Sequence, residues 1–73
     1  MPHILLVEDD RAIVESLRAY LTDEGFSVVS ADGQSRVETL LERQSFDLLL
    51  VDMSLRDGDG FGVCAAARKR RSP

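Results

Sequence analysis

The sequence predicts an α/β fold in which three parallel strands alternate with three helices. Three short apolar runs have the length and composition of strands that are covered on both faces. Each run is followed by a longer segment whose apolar residues recur at helical spacing, and this alternation is typical of a parallel sheet with right-handed crossovers. The predicted strands span about residues 3–7, 26–31 and 46–52, and the predicted helices span about 11–24, 35–43 and 61–70.

The first strand and helix have clear boundaries. The strand at 3–7 is almost wholly apolar and runs directly into acidic residues. Asp10 is a suitable N-cap for the helix, and Gly25 is a suitable stop after its last turn. The apolar residues that share one face of this helix are Ile13, Val14, Leu17 and Leu21.

The second strand is more polar. Its sequence, "FSVVSAD", contains fewer apolar residues than the other strands, so we expect it at an edge of the sheet. Ser35 and Glu38 have the spacing of a capping box, which predicts the start of the second helix. Val37, Leu40 and Leu41 are expected to face inward from that helix.

The third strand, "FDLLLVD", is the most apolar of the three and ends on Asp52. A turn-rich segment, "MSLRDGDG", separates it from the third helix. The residues expected on the apolar side of that helix are Phe61, Val63, Cys64 and Ala67.

The relative polarity of the strands predicts their order. The two most apolar strands, the first and third, are expected to be central, which gives the order 2-1-3. Open α/β sheets bind ligands where the strand order reverses, at the carboxyl ends of the strands. In this order the reversal lies between strands 1 and 3, whose ends carry Glu8, Asp9 and Asp52. The sequence therefore predicts that these three carboxylates meet.

Composition limits the possible classes of protein. A chain of 73 residues holds at most one domain and has little stability to spare. The single cysteine, Cys64, excludes an internal disulfide and suits a reducing compartment, so we expect a cytoplasmic protein. The net charge of −4 argues against nucleic-acid binding. No apolar run approaches the roughly 20 residues of a membrane helix, so no membrane association is expected.

Crowded carboxylates in a crevice repel one another until a proton or a cation relieves the repulsion. Mg²⁺ suits a site that offers a few carboxylates, a backbone carbonyl and water. A carboxylate in such a site can attack phosphorus, while the metal neutralises charge on the transferred group. The alternative is that strand-end acids merely cap helices or solubilise loops. Two acidic clusters that converge on one edge of the sheet favour the metal site.

The segments "HILLVEDD" and "FDLLLVDMSLRDGDGFGVC" together resemble the first three βα units of a response-regulator receiver domain. The resemblance covers nearly the whole chain and implies a flavodoxin-like fold. It implies that Asp52 is the phosphoacceptor and that Glu8, Asp9 and Asp52 hold Mg²⁺, with the backbone carbonyl of Ser54 as a further ligand. Arg56 stands where the family usually has proline, which is expected to loosen the segment after Asp52.

The resemblance stops before the family's pattern is complete. A receiver has five βα units, with a Thr or Ser at the end of the fourth strand and a Lys at the end of the fifth. This chain ends about where the fourth strand would begin, so it is expected to be the N-terminal part of a receiver, truncated to three units. Whether it is a truncation, a fragment or a degenerate gene product stays open.

Two functions follow from the resemblance and its limits. The first is a phosphoacceptor module of a two-component phosphorelay, which takes a phosphoryl group from a sensor histidine kinase or phosphotransfer protein. Such a module is not an enzyme beyond Mg²⁺-dependent self-phosphorylation. The alternative is a non-switching fragment that acts only in self-association or protein interaction. The carboxylates favour the first function, and the missing strands favour the second.

Self-association is expected with either function. The third strand would leave a long apolar edge open, and such an edge is a template for pairing with another chain. The helix surface around Val63 and Ala67 is also expected to be bare. We therefore predict a homodimer or larger assembly through the edge of strand 3.

Overall fold

Three parallel strands form the sheet on which the helices pack. The computed structural model describes residues 1–52 and 60–71. The strand order is β2-β1-β3, which confirms the predicted fold class and topology. The elements in chain order are β1 His3–Val7, α1 Arg11–Asp23, β2 Ser27–Ala31, α2 Gln34–Arg43, β3 Leu48–Val51 and α3 Gly60–Arg71.

β1 is the central strand and supplies the most buried residues. It pairs in parallel with β2 on one side and β3 on the other, so that Leu5 lies between Val29 and Leu49. Residues 4–7 of β1 are at most 2% exposed, whereas Leu48 of β3 is 50% exposed. Within the described residues β3 has β1 as its only neighbour, so it lies at an edge of the sheet, in agreement with the predicted order 2-1-3 and the predicted open edge of strand 3.

The two faces of the sheet are covered by different helices. The main core lies on the face that packs against α2 and α3, since side chains alternate along each strand. Ile4, Leu6 and Val28 are buried outside that core cluster, and α1 packs against β2. The residues of the core cluster are Leu5, Val7, Ala31, Val37, Leu40 and Val63.

Both predicted ends of α1 are confirmed. The Asp10 side chain accepts hydrogen bonds from the backbone N–H groups of Ala12 at 3.0 Å and Ile13 at 3.3 Å. Gly25 has a φ of +96°, a left-handed conformation that glycine adopts without steric strain. Its N–H donates to the Thr22 carbonyl at 3.1 Å, which satisfies one of the last carbonyls of the helix.

The predicted inward face of α1 is largely exposed. Ile13 is 42% exposed, Leu17 36% and Tyr20 63%, and no residue of α1 is fully buried. Val14 and Leu21 are half-buried. The apolar face of α1 is therefore wider than the part of it that the sheet covers, and none of the described residues covers the remainder.

α2 begins one residue earlier than predicted, and the capping box is wrong. The N-cap is Gly33, which has no side chain to accept a hydrogen bond from the first turn. Ser35 therefore lies inside the helix, where its carbonyl accepts a hydrogen bond from the Thr39 hydroxyl at 3.3 Å. Glu38 instead accepts a hydrogen bond from the Gln34 side-chain amide at 3.2 Å.

α3 packs against α2 through Val63, which is 0% exposed. The expectation of a bare surface around Val63 was wrong, because α2 covers it. Cys64, predicted on the apolar side, is exposed. The helices approach closely at Gly62, where a Cβ would lie 2.8 Å from Cδ and 2.9 Å from Nε2 of Gln34. None of the described helices is both long and apolar enough to cross a membrane.

The burial of Val63 predicts a large effect of truncating its side chain. We expect Val63→Ala to lower the free energy of unfolding by about 2 kcal/mol, because it opens a cavity between α3 and the rest of the core. The matched control is Val14→Ala, which removes the same atoms from a half-buried position and is expected to cost clearly less. Urea denaturation followed by circular dichroism measures both. Equal losses would contradict the packing described for α3.

Candidate metal centre

The hydrogen-bond pattern of the sheet brings the acidic ends of β1 and β3 to the same level. Val7 of β1 is paired in register with Val51 of β3. The pattern continues one residue beyond each strand, because Asp52 N–H donates to the Val7 carbonyl at 2.8 Å and Glu8 N–H donates to the Ala31 carbonyl at 3.0 Å. Glu8 and Asp52 are therefore neighbours across the two strands.

Three carboxylates meet at this edge. Oxygen atoms of Glu8, Asp9 and Asp52 lie within 4.8 Å of one another, and all three residues are half-buried. The structure thus brings together the three acidic residues that the sequence placed at the ends of strands 1 and 3. Asp10 is turned away to cap α1, and its backbone N–H donates to Oε1 of Glu8 at 3.1 Å.

This donor set fits a hard divalent cation. Ligand oxygens around an octahedral Mg²⁺ ion lie about 2.9–4.2 Å apart, since each Mg–O distance is about 2.0–2.1 Å. The oxygen atoms of the observed cluster lie within 4.8 Å of one another, which is close to that spacing. Ser54, predicted to offer its backbone carbonyl, and Arg56, noted as a departure from the family pattern, lie outside the described residues.

The crowding changes the acidity of Glu8. Partial burial, followed by the nearby carboxylates of Asp52 and Asp9, raises the pKa of Glu8 above its ordinary value of 4.5. The hydrogen bond from the Asp10 backbone acts in the opposite direction but does not cancel the shift. The cluster therefore favours a proton or a cation at Glu8, and a cation relieves the same repulsion at neutral pH.

A cavity of about 320 Å³ opens beside the acidic cluster, towards β2. Sequence reasoning identified neither this cavity nor the roles of Arg11, Asp32 and Arg36 in it. The available signal was positional: Asp32 follows β2, and the two arginines lie in the first turns of α1 and α2, at the same edge of the sheet. The polar residues that line the cavity are Glu8, Asp9, Arg11, Ser30, Asp32 and Arg36.

Fold and cluster define an α/β module that carries an acidic ligand site at the switch point of its sheet. The family model of the response regulator receiver domain matches residues 4–73. The chain therefore belongs to the response regulator receiver domain family, as the resemblance implied.

Individual relatives agree with this assignment. The chain is 46% identical over 65 residues to the alginate biosynthesis transcriptional regulatory protein AlgB of Pseudomonas putida, and the match covers 89% of the chain but 14% of that protein. It superimposes on the non-phosphorylated HemR receiver domain of Leptospira biflexa with a TM-score of 0.90 and 37% identity, covering 97% of this chain and 57% of that one. The chain thus spans only part of the length of the proteins it matches.

A further match comes from the structure of a complex between a histidine kinase and a response regulator protein. A chain in the crystal structure of the histidine kinase ThkA in complex with the response regulator protein TrrA superimposes with a TM-score of 0.89 and 27% identity. The match covers 97% of this chain and 61% of that chain.

The raised pKa of Glu8 predicts how stability depends on pH. The folded state holds the Glu8 proton more tightly than the unfolded chain does, so stability falls as the pH rises from the unfolded pKa through the raised folded pKa. At pH 7 without Mg²⁺, Glu8→Gln should therefore raise Tm by a few °C, and Mg²⁺ should stabilise the wild type more than the variant.

Thermal denaturation followed by circular dichroism, with and without Mg²⁺, measures this difference. Glu15→Gln is the matched control, because it removes one exposed carboxylate from α1 outside the cluster. The interpretation is wrong if Glu8→Gln lowers Tm in the absence of Mg²⁺, or if both variants behave alike.

Proposed function

We propose that this chain is a phosphoacceptor receiver module of a two-component system, in which Asp52 takes a phosphoryl group with the help of Mg²⁺. The observation that carries the proposal is the meeting of Glu8, Asp9 and Asp52 within 4.8 Å at the switch point of the sheet. Membership of the receiver family supports the same assignment. The metal ligands would be these three carboxylates, together with the backbone carbonyl of Ser54.

Asp52 is the nucleophile in this proposal because it lies at the end of β3, with its backbone held by β1. One oxygen of its carboxylate forms a bond to phosphorus while the bond from phosphorus to a histidine nitrogen of the donor breaks. Bound Mg²⁺ would neutralise charge on the phosphoryl oxygens during this transfer. Glu8 and Asp9, which directly follow the neighbouring strand β1, would hold the ion without competing for the phosphoryl group.

The proposed donor is a sensor histidine kinase or a phosphotransfer protein in the cytoplasm. The similarity to a chain in the ThkA–TrrA complex supports a kinase as the partner class. The chain would act as a signalling module, and its own chemistry would be limited to Mg²⁺-dependent self-phosphorylation from a donor.

One observation favours a second activity, self-association through β3. Leu48 lies on this strand and is 50% exposed, and within the described chain β3 is paired on one side only. Two copies related by a two-fold axis perpendicular to the sheet would place β3 antiparallel to β3 of the partner and form one six-stranded sheet. A chain of this size gains stability by covering such an edge.

The phosphoacceptor assignment predicts a specific covalent modification. Incubation with acetyl phosphate and Mg²⁺ should add one phosphoryl group, and Asp52→Asn should reduce the labelled fraction at least roughly tenfold by removing the nucleophile. Intact-mass spectrometry measures the modification.

Asp23→Asn is the matched control. Asp23 is the last residue of α1 and lies at the amino ends of the strands, whereas Asp52 lies at their carboxyl ends. The control variant should be labelled like the wild type. Equal labelling of Asp52→Asn and the wild type would remove Asp52 from the proposed role.

The self-association proposal predicts a dimer or larger assembly at tens of micromolar, measured by light scattering coupled to size exclusion. Leu48→Lys should shift the population to monomer, because a charge on the open edge opposes strand pairing. Leu48 is preferred to Leu49, which packs against the core. Leu17→Lys is the control, since it places the same charge on α1. A monomeric wild type, or assembly that persists in Leu48→Lys, would contradict the proposal.

A further inference from the structure

We propose that the cavity beside the acidic cluster binds a small phosphate-bearing anion once Mg²⁺ is in place. The ligand class is inorganic phosphate or the phosphate group of a small metabolite. This inference rests on the magnesium site of the proposed function, and it adds a second, anionic subsite next to that site.

The cavity lies between the carboxyl ends of β1 and β2 and the first turns of α1 and α2. Its volume of about 320 Å³ is sufficient for a small molecule. Glu8 and Asp9 line the cavity and also belong to the three-carboxylate cluster. A cation held by these two residues would therefore face the cavity.

The charges around the cavity make anion binding depend on the metal. Arg11 and Arg36 contribute two positive charges, against three negative charges from Glu8, Asp9 and Asp32. Asp52 of the same cluster adds a fourth negative charge beside the cavity. Without metal the site therefore repels an anion, whereas one divalent cation brings the total charge from −2 to zero. Neither guanidinium forms an ion pair within the described part of the chain, so both are available to a ligand.

Two further groups at this edge suit phosphate oxygens. The hydroxyl of Ser30 accepts a hydrogen bond from the Arg18 guanidinium at 3.3 Å, which leaves the hydroxyl proton able to donate to a ligand. The first turn of α2 follows Gly33 and has no side-chain cap, so its N–H groups add partial positive charge beside Arg36. Guanidinium groups bind phosphate through paired hydrogen bonds, which favours phosphate over a monovalent halide.

The test is a titration of the complete chain with inorganic phosphate, followed by amide NMR shifts, at saturating and at zero Mg²⁺. With Mg²⁺, phosphate should shift the amides of Arg11, Ser30 and residues 34–36, and without Mg²⁺ these shifts should be absent. Sodium chloride at equal ionic strength and sodium acetate should not reproduce the shifts. A parallel titration with glycerol phosphate separates the two sources, because tighter binding than inorganic phosphate indicates an organic phosphate as the ligand.

Arg36→Gln should weaken phosphate binding roughly tenfold, since it removes a charge-assisted hydrogen bond. Arg43→Gln is the matched control, because it removes the same charge from the last turn of the same helix and should leave the affinity unchanged within about twofold. The Mg²⁺ affinity of both variants, read from the amides of Glu8, Asp9 and Asp52, should remain close to that of the wild type.

The possible results distinguish failure of the magnesium site from failure of the anion site alone. If Mg²⁺ alone leaves the amides of Glu8, Asp9 and Asp52 unshifted, the proposed metal centre fails and the anion site fails with it. If Mg²⁺ binds but phosphate gives no further shifts, or if Arg36→Gln and Arg43→Gln bind phosphate equally well, the anion site is overturned and the metal centre stands. Phosphate binding that is as strong without Mg²⁺ would overturn the charge argument.

Discussion

The pairing of β1 with a strand on each side is the interaction on which the rest of the structure depends. β1 is buried on both faces, and its residues 4–7 are at most 2% exposed. Because the pairing is parallel and in register, both neighbouring strands end beside the end of β1. A slip of one residue would turn every side chain of a strand to the opposite face and would replace the packing partners of each, which disfavours other registers.

The position of the acidic site follows directly from this register. The backbone of Asp52 is bound to Val7, and the backbone of Glu8 is bound to Ala31, so the strands themselves set the positions of two site residues. Asp9 follows Glu8, and Asp10 caps α1. The crowded carboxylates thus follow the most buried strand, β1, and its neighbour β3, and the backbone hydrogen bonds keep them together despite their repulsion.

The repulsion is a local cost that a cation removes. Burial first, and then the carboxylates of Asp52 and Asp9, raise the pKa of Glu8. In a small domain, whose total stability is on the order of 5–15 kcal/mol, a cluster of this kind makes the folded state sensitive to pH and to divalent ions. The exposed apolar surface on α1 and β3 is a separate feature, and its burial against a partner would stabilise the folded state.

The order of elements, the strand order and the proximity of Glu8, Asp9 and Asp52 could all be predicted from the sequence. These features depend on short apolar runs, helical periodicity and the side on which a parallel strand ends, all of which are local patterns. The ends of α1 were equally predictable, because Asp10 and Gly25 act through the backbone of their own neighbourhood.

Which apolar residues are buried depends on tertiary packing and could not be predicted from local patterns. Val63 and Cys64 are adjacent in α3, yet the first is enclosed by the core and the second is exposed. Leu48 belongs to the most apolar strand but lies at an edge, so half of it remains in contact with solvent.

The cavity was not predictable from local patterns. Arg11 and Arg36 are far apart in the sequence and share a wall only because α1 and α2 begin at the same edge of the sheet. Burial and the convergence of distant charges depend on how the helices settle on the sheet, and no local sequence pattern encodes that arrangement.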